Sequence, residues 1–192
     1  MAAAASKMVL RQGAQRQRQR LSAPEASSRS RAIVESCLNL VDWKRLKSLH
    51  IFLPIQKLNE IDTFPLVDFV RRHHPGIAIY TAIPPVRLEA GSKLQEDARG
   101  VPKPVGALPL PAGSRLDVVV VPLLAFDASR HRLGYGQGCY DRFLTQFPAT
   151  HKIGLCYQLG YVTDGIPAEP HDVPLDVIIT ESQVYGGAAK LS

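Results

Sequence analysis

Cysteine is scarce in this chain of 192 residues, and long apolar runs are missing from it. Its three cysteines, Cys37, Cys139 and Cys156, are odd in number, lie far apart and form no CxxC pair. We therefore expect neither a disulfide framework nor a cysteine-based zinc site. No run approaches the roughly 18 apolar residues that a membrane span needs, so none is expected. Residues 1–7 lack the apolar stretch of a secretory signal, which predicts a cytoplasmic protein.

Aromatic residues are also few, at 7% of the chain, whereas hydrophobic residues make up 45% and charged residues 21%. These fractions are typical of a soluble globular protein and argue against a wholly disordered chain. A chain of this length can bury a core without disulfides. We predict one domain over residues 1–192, with N-terminal helices over 1–45 that pack on or flank a core over 46–192.

Negative charge is nearly absent from the N-terminal segment. Residues 1–31 hold seven of the 23 Lys and Arg residues against a single acid, Glu25, and this segment accounts for the whole net charge of +6. The Arg/Gln tract at 15–20 lacks aromatic residues for base stacking, so nucleic-acid binding is only the weaker alternative. A solvated helix face that attracts small polyanions fits the tract better.

The remaining pattern alternates helices with short apolar strands. We predict helices over 3–20, from the capping box at 22–25 to about Trp43, from Asp62 or Thr63 to about His73, and over 140–147. Strands are predicted at 49–53, 77–80, 117–121, 152–156 and 176–180, and short strands and loops over 84–115. The alternation predicts an α/β fold of three layers, α/β/α, with a mostly parallel central sheet after two N-terminal helices.

A glycine-rich loop follows the predicted strand at 117–121. Gly134, Gly136 and Gly138 alternate with other residues before a helix, which lets backbone N–H groups approach a phosphate, and Arg132 and Arg142 would add positive charge. The spacing is neither the dinucleotide GxGxxG pattern nor a Walker P-loop. The alternative is a tight strand-to-helix turn that needs glycine for backbone reasons alone.

Two acidic positions invite a metal ion but have simpler explanations. Asp141 lies at the start of the predicted helix, where it would cap the helix or hold a magnesium ion. Asp172 and Asp176 precede the last predicted strand, where they would form turn hydrogen bonds, or Asp172 would join Asp141 at the metal. Sequence spacing leaves both alternatives open.

These segments resemble the signature of the 5-formyltetrahydrofolate cyclo-ligase family. The family pattern VPxxAFD, followed by RLGxGxGxYDxxL, is matched by fixed positions between Val121 and Leu144. Lys7 with Arg11 resembles the family's N-terminal basic pair. The segments at 60–63 and 171–181 resemble its EIDT and HDxxxD segments, so the likeness runs from residue 7 to 181 in the family's order.

The resemblance implies an ATP- and Mg²⁺-dependent ligase that converts 5-formyltetrahydrofolate to 5,10-methenyltetrahydrofolate, releasing ADP and phosphate. The formyl oxygen is phosphorylated, N10 attacks the activated carbon, and phosphate leaves. The implied substrate is the folate, with or without a glutamate tail, and the implied assembly is a monomer or weak dimer with no membrane partner.

The resemblance also assigns roles to individual residues. Catalytic roles fall on Arg132, Gln137 and Tyr140. Nucleotide binding falls on Lys7, Arg11, Arg132, Leu133, Gly134, Tyr135, Gly136, Gln137, Gly138, Cys139 and Tyr140. Folate binding falls on Leu53, Glu60, Gln137 and Cys139, and Mg²⁺ binding on Asp141 and Asp172.

Three positions depart from the family pattern. Cys139 stands where the family often has Tyr, Gln137 where it often has Lys or Gly, and Lys103 where it often has Glu. These departures keep open an alternative in which the protein binds folate or nucleotide with reduced or lost turnover.

Overall fold

Residues 6–187 are described in the computed structural model, and they contain four α-helices and eleven strands. The helices are α1 (Lys7–Gln19), α2 (Ala23–Leu40), α3 (Phe64–His73) and α4 (Cys139–Leu144). The strands are β1 (Ser48–Ile51), β2 (Ala78–Thr81), β3 (Val86–Arg87), β4 (Leu94–Glu96), β5 (Pro102–Pro104), β6 (Val118–Pro122), β7 (Ala125–Phe126), β8 (Arg132–Leu133), β9 (His151–Leu155), β10 (Val177–Ile179) and β11 (Val184–Gly186).

Seven strands form the central sheet in the order β11-β10-β9-β6-β1-β2-β3. The five inner strands run parallel, and the two edge strands, β3 and β11, are antiparallel to their neighbours. Strand β6 lies at the centre, where Val119 pairs with His50 on β1 and with Lys152 on β9. Its four consecutive valines are fully buried, which explains why a run of β-branched residues occupies this position.

Both faces of the sheet are covered. Val118 and Val120 belong to a cluster that includes buried residues of α2 and α3, whereas Val119 and Val121 pack with Phe143 of α4. Since neighbouring residues of a strand point to opposite faces, the two clusters lie on opposite sides of the sheet. The α/β class with a mostly parallel sheet and two N-terminal helices is confirmed.

The predicted capping box starts α2. The Ser22 hydroxyl accepts a hydrogen bond from the Glu25 N–H at 3.4 Å, and the Glu25 carboxylate accepts one from the Ser22 N–H at 2.9 Å. Helix α2 ends at Leu40 rather than near Trp43, because Val41 adopts an extended conformation. Helix α1 agrees with the prediction over Lys7–Gln19, and residues 3–5 lie outside the described part of the chain.

Helix α3 has the predicted bounds. Thr63 holds the N-cap position, but its hydroxyl donates to the Phe52 carbonyl, and the Asp62 carboxylate accepts the Phe64 N–H at 3.0 Å. Other boundaries differ from the predictions. Helix α4 ends at Leu144, three residues short of the predicted end. Strand β11 was not predicted, because its three half-buried or exposed residues carry no apolar pattern.

Among residues 6–187, no helix combines the length and the apolar character needed to cross a membrane.

Candidate functional site

A cavity of about 680 Å³ opens beyond the carboxyl ends of the parallel strands. Its walls come from the segments that follow β1, β2 and β6, from the glycine-rich loop, from α1, from the β4–β5 hairpin and from residues 169–172. The carboxyl edge of a parallel sheet is where open α/β folds bind ligands, because chain reversals leave a crevice there. The cavity is large enough for a small-molecule ligand with a nucleotide or cofactor.

The fold brings nearly all the predicted site residues to this cavity. Lys7, Arg11, Leu53, Glu60, Arg132, Gly134, Tyr135, Gly136, Gln137, Gly138, Cys139, Tyr140, Asp141 and Asp172 all line it. Leu133 is the exception: its side chain is 1% exposed and packs in an apolar cluster with Ala14 and Leu124. The structure therefore gives the Leu133 side chain a packing role, and the functional roles of the other residues stay predictions.

Positive backbone φ angles explain two of the loop glycines. Gly136 has φ +92°, and a Cβ there would lie 3.6 Å from the Arg11 guanidinium; Gly138, with φ +60°, is the N-cap of α4. Both positions therefore need glycine for the backbone turn. The same turn leaves the loop backbone open to the cavity. Since α4 has only six residues, charged side chains, more than the helix dipole, supply positive potential here.

The two arginines predicted to flank the loop behave differently. Arg132 lines the cavity, and its Nη2 donates to Asp141 Oδ1 at 2.7 Å while its Nη1 donates to the Val173 carbonyl. Burial lowers the pKa of Arg132, and the Asp141 carboxylate opposes that change. Arg142 is exposed and does not line the cavity; its Nη2 lies 3.8 Å from the Cys139 sulfur. The Arg142 guanidinium therefore lies beside two residues of the cavity wall, Gly138 and Cys139, without lining the cavity itself.

Asp141 does not cap α4, since Gly138 holds that position. Its Oδ1 instead accepts the Val173 N–H at 3.1 Å as well as the Arg132 guanidinium. Val173 follows Asp172 directly in the chain, so the two predicted metal ligands lie on segments that touch. Spacing alone did not determine this proximity.

Asp172 is bound to the start of α1. Lys7 Nζ lies 2.6 Å from Asp172 Oδ2 and 2.5 Å from Glu169 Oε2. Burial lowers the pKa of Lys7, but the two carboxylates outweigh burial and the net pKa is raised. For Asp172, burial raises the pKa, but the bonds to Lys7 and to the Glu169 N–H together lower it by more. The net pKa of Asp172 is therefore lowered. Both groups are thereby held in their charged forms.

Glu169 and His171 join Asp172 in a cluster whose possible ligand atoms all lie within 4.8 Å of one another. Carboxylate oxygens are the ligands that Mg²⁺ prefers, and Asp141 faces the same cavity, so the donor set fits a divalent ion. The sequence analysis missed Glu169, although two acids within four residues beside a proline were a visible signal. Asp176 lies apart from this cluster and accepts the N–H of Lys152 on the neighbouring strand β9 at 2.8 Å, a long-range bond and not the turn bond that the alternative predicted.

The opposite end of the cavity combines one carboxylate with apolar surface. Glu60 is 9% exposed, and its Oε2 accepts the Ile55 N–H at 2.8 Å while its Oε1 accepts the Tyr135 hydroxyl at 2.7 Å. Phe52 and Leu53 lie beside it in the cavity wall. This end can receive a flat ring that donates hydrogen bonds, because ionised carboxylates only accept them.

Tyr140 forms part of the cavity wall above the sheet. Its ring packs edge-to-face on His50 and on Phe143, each at 6.2 Å between ring centroids. Burial raises the pKa of Tyr140, so its hydroxyl stays protonated at neutral pH.

Arg18 is a residue whose place the sequence analysis got wrong. The Arg/Gln tract was predicted to be a solvated face, and Arg16 and Arg20 are indeed exposed, but Arg18 is only 5% exposed. A signal was present: Lys7, Arg11, Ala14 and Arg18 recur at intervals of three and four residues. That spacing places them on one face of a helix, and this face turns toward the cavity and its walls.

The β4–β5 hairpin adds a second unpredicted wall. Arg99 and Lys103 line the cavity from the hairpin, and Lys103 Nζ lies 2.9 Å from Asp97 Oδ2. The charge reversal noted at position 103 is therefore paired with an acid on the same hairpin.

Comparisons of sequence agree with this architecture. The model of the 5-formyltetrahydrofolate cyclo-ligase family matches residues 3–181. A 5-formyltetrahydrofolate cyclo-ligase of Escherichia coli is 42% identical over 74 residues, which cover 38% of this chain and 40% of that protein. The Haemophilus influenzae protein of the same name is 28% identical over 178 residues, covering 84% of this chain and 91% of that protein.

Solved structures give the same result for the fold. The NMR structure of Aquifex aeolicus 5,10-methenyltetrahydrofolate synthetase superposes with a TM-score of 0.77 at 27% identity, covering 94% of this chain and 92% of that one. A 5,10-methenyltetrahydrofolate synthetase from Mycoplasma pneumoniae gives 0.69 at 24% identity, covering 92% and 99%. Since the family model spans nearly the whole sequence, this chain belongs to the 5-formyltetrahydrofolate cyclo-ligase family.

Proposed function

We propose that this protein converts 5-formyltetrahydrofolate to 5,10-methenyltetrahydrofolate, using ATP and Mg²⁺ and releasing ADP and phosphate. One observation carries the proposal. A single cavity is lined in one part by cationic side chains and an open glycine loop, and in another part by the Glu60 carboxylate beside the apolar residues Phe52 and Leu53. A phosphate donor and a pterin can therefore meet inside one site.

The cationic end suits a nucleotide triphosphate. Arg11 Nε donates to the Gly134 carbonyl at 3.1 Å, which leaves the rest of its guanidinium beside Gly136 for phosphate oxygens. Lys7 and Arg132 bring further positive charge to the same end. Asp141 and Asp172 would hold the magnesium ion, with Glu169 close by, and the ion would neutralise the charge of the transferring phosphoryl group.

The other end suits the pterin of the folate. Glu60 would accept hydrogen bonds from ring N–H groups, while Leu53 would contact the ring itself. Gln137 and Cys139 lie on the loop between the two ends, where they would border both ligands. The reacting atoms would then lie between the phosphates and the pterin.

Catalysis of this reaction depends more on orienting the two substrates and stabilising developing charge than on a strong general acid or base. An amide-like formyl oxygen is a poor leaving group, and taking the terminal phosphoryl group of ATP makes it a good one. N10 then attacks the formyl carbon and loses its proton, and the oxygen departs within phosphate. Arg132 would stabilise the negative charge that develops during phosphoryl transfer, and the protonated Tyr140 would donate a hydrogen bond at the same place.

The cellular setting and assembly are part of the proposal. Cys37, Cys139 and Cys156 are all free thiols, which suits a reducing compartment such as the cytoplasm. A monomer or weak dimer, acting on folates with or without a glutamate tail, remains the expected form.

The decisive experiment mixes the purified protein with 5-formyltetrahydrofolate, ATP and magnesium, and follows the ultraviolet absorbance of methenyltetrahydrofolate. We expect product only when ATP and magnesium are both present, with one ADP formed per product. Omitting each component in turn, and chelating magnesium, provide the controls.

Two other outcomes would contradict the proposal in different ways. If calorimetry shows binding of folate and ATP but no product forms, the protein is a family member that binds its ligands without turnover. The departures from the family pattern at Cys139, Gln137 and Lys103 would then be the candidate causes. Neither product nor binding would refute the assigned activity altogether.

A further inference from the structure

We propose that Arg18, acting through the Tyr135 hydroxyl, is a positioning residue that holds Glu60 in the orientation needed to bind the folate. The inference rests on the proposed function, because that function gives Glu60 its ligand. It assigns to helix α1 a second task at the folate end of the cavity, besides carrying Lys7 and Arg11 to the phosphate end.

A hydrogen-bonded chain joins the three side chains. Arg18 Nη2 donates to the Tyr135 hydroxyl, and that hydroxyl donates to Glu60 Oε1 at 2.7 Å. The direction of the chain is fixed, since a guanidinium can only donate and an ionised carboxylate can only accept. The Arg18 guanidinium also lies over the Tyr135 ring, 5.5 Å from its centroid. Tyr135 is therefore held both at its ring and at its hydroxyl.

Arg18 and Glu60 do not form a direct ion pair among residues 6–187. Both border a small cavity of about 10 Å³, and the tyrosine hydroxyl is the group that connects them. Arg18 is 5% exposed, and its Nε is buried with no hydrogen-bond partner in the described structure. A buried arginine with so little hydrogen bonding is expensive to maintain for stability alone, which points to a role in the site.

The carboxylate keeps room for its ligand. Oε2 accepts the Ile55 N–H and Oε1 accepts the Tyr135 hydroxyl. Each carboxylate oxygen has two lone pairs, so each retains one acceptor position for a pterin N–H. The two protein bonds therefore orient Glu60 without occupying the positions that the folate would use.

The backbone around this chain is held by a second contact. Asn59, directly before Glu60, donates from Nδ2 to the carbonyls of Arg18 at 3.2 Å and of Leu21 at 3.0 Å. The end of α1 and the loop that carries Glu60 are thus joined by both main-chain and side-chain bonds. A change at Arg18 would therefore reach Glu60 through both the side-chain and the main-chain contacts.

The test compares four variants with the wild type: Tyr135→Phe, Arg18→Gln, the double variant, and Arg16→Gln as a matched control from an exposed position of the same helix. We expect Tyr135→Phe and Arg18→Gln each to raise the KM for 5-formyltetrahydrofolate about tenfold, the scale of one hydrogen bond involving a charged group. The KM for ATP should rise less than the KM for folate, because Tyr135→Phe removes only the hydroxyl that binds Glu60 and keeps the rest of the glycine loop. The double variant should be no worse than either single one, because the two residues act through one chain of bonds.

Several results would overturn the proposal. One is an unchanged KM for folate, and another is an equal increase in the KM for folate and in the KM for ATP. A third is a double variant whose folate KM rises by the product of the two single effects. A fall in melting temperature with unchanged KM values would assign Arg18 a structural role only. If Arg18→Gln does not fold, Tyr135→Phe and Arg18→Lys still decide the question. Lysine keeps the positive charge and N–H donors, so Arg18→Lys should give a folate KM between those of the wild type and Tyr135→Phe.

Failure of the proposed function would be recognisable separately. It would appear as a wild-type protein without ATP-dependent turnover. Calorimetric titration with 5-formyltetrahydrofolate alone would then replace the KM comparison, and equal affinity in the wild type and Tyr135→Phe would overturn the positioning role.

Discussion

The same strands end in two contrasting regions, an apolar interior and a polar rim at their carboxyl ends. Within β6, the valines at 118–121 are all fully buried. One residue further on, Pro122 lines a cavity that also exposes Lys7, Arg132 and Asp172. The interior is held by many weak contacts between neighbouring strands and helices, whereas the rim depends on single hydrogen bonds and ion pairs.

The bonds of the rim connect residues far apart in the chain. Lys7 binds Asp172 across 165 positions, and Arg18 binds Tyr135 across 117. Each such contact depends on one or two pairs of atoms, as at Lys7, which binds Asp172 and Glu169. We therefore expect substitutions in the interior to lower the free energy of unfolding with little effect on ligand binding. Substitutions at the rim should impair ligand binding or turnover with little effect on the free energy of unfolding.

The largest effect is expected in the interior. Ile153 on β9 is 0% exposed within the cluster under α2 and α3, so Ile153→Ala should lower the free energy of unfolding by about 2–5 kcal/mol. Urea unfolding measures the loss, and the folded variant should keep its KM values. Val184→Ala, on the exposed edge strand β11, is the control with little expected change. An unfolding energy equal to that of the wild type would contradict the division between interior and rim.

The next effect belongs to the rim. Asp172→Asn removes a charge from the predicted metal site and from its contact with Lys7, so turnover should fall about 100-fold, which is near 2.7 kcal/mol of transition-state stabilisation. The dependence of rate on magnesium concentration should shift to higher concentration. Asp164→Asn, at an exposed position away from the cavity, should leave both unchanged. Full activity of Asp172→Asn would remove Asp172 from the metal site.

The same contrast explains what the sequence could predict. The valine run of β6 and the capping box at Ser22 are local patterns, and each was assigned correctly because neighbouring residues alone specify them. The tight turn of the glycine loop is local as well, whereas its phosphate binding stays a prediction. Leu133 differs from its neighbours at the site. Alternation along β8 points its side chain into an apolar cluster, away from that of Arg132, so the nucleotide contact that its place in the family signature implies stays a prediction.

Long-range pairs could not be predicted in this way. The helical spacing of Lys7, Arg11, Ala14 and Arg18 sets Arg18 apart from the exposed Arg16, but only the packing of α1 against the glycine loop shows that Arg18 contacts Tyr135. Glu169 likewise joins the site because Lys7 reaches it from the other end of the chain. The family resemblance supplied the residues that recur in a motif, and the structure was needed for those that do not.

His50 lies where the two regions meet. It is a fully buried polar residue of β1, its Nε2 lies 2.8 Å from the Ala82 carbonyl, and its Nδ1 has no partner within the described structure. The ring must donate from Nε2 to that carbonyl, since a carbonyl oxygen only accepts. Ala82 lines the cavity, so the hydrogen bond from the buried His50 helps to hold this part of the cavity wall in place.

Acidification should test that support. Burial lowers the pKa of His50 to about 4, with the Ala82 bond opposing the change. In the unfolded chain His50 has its ordinary pKa of 6.5, so it binds a proton at a higher pH than in the folded protein. The free energy of unfolding therefore keeps its full value above pH 6.5 and falls as the pH drops from 6.5 toward 4. His50→Gln, which can still donate to Ala82, should abolish a loss on the order of 1–2 kcal/mol between pH 7 and pH 5.

Melting temperatures at pH 7 and pH 5 measure this effect. His73→Gln, at an exposed position, should retain the pH dependence of the wild type. The same pH dependence in His50→Gln and in the wild type would show that His50 does not set it.

The smallest effect is expected at Arg11, whose contact with the loop is shared with other cations. Its Nε donates to the Gly134 carbonyl at 3.1 Å, and no carboxylate pairs with it within residues 6–187, unlike Lys7 and Arg132. Arg11→Gln should therefore raise the KM for ATP about fivefold, near 1 kcal/mol, and leave the folate KM and the unfolding energy unchanged. Steady-state kinetics with each substrate varied in turn measures this, with Arg20→Gln, at the exposed C-cap of the same helix, as the control. An increase in the folate KM alone would show that the phosphate and folate ends of the cavity have been assigned the wrong way round.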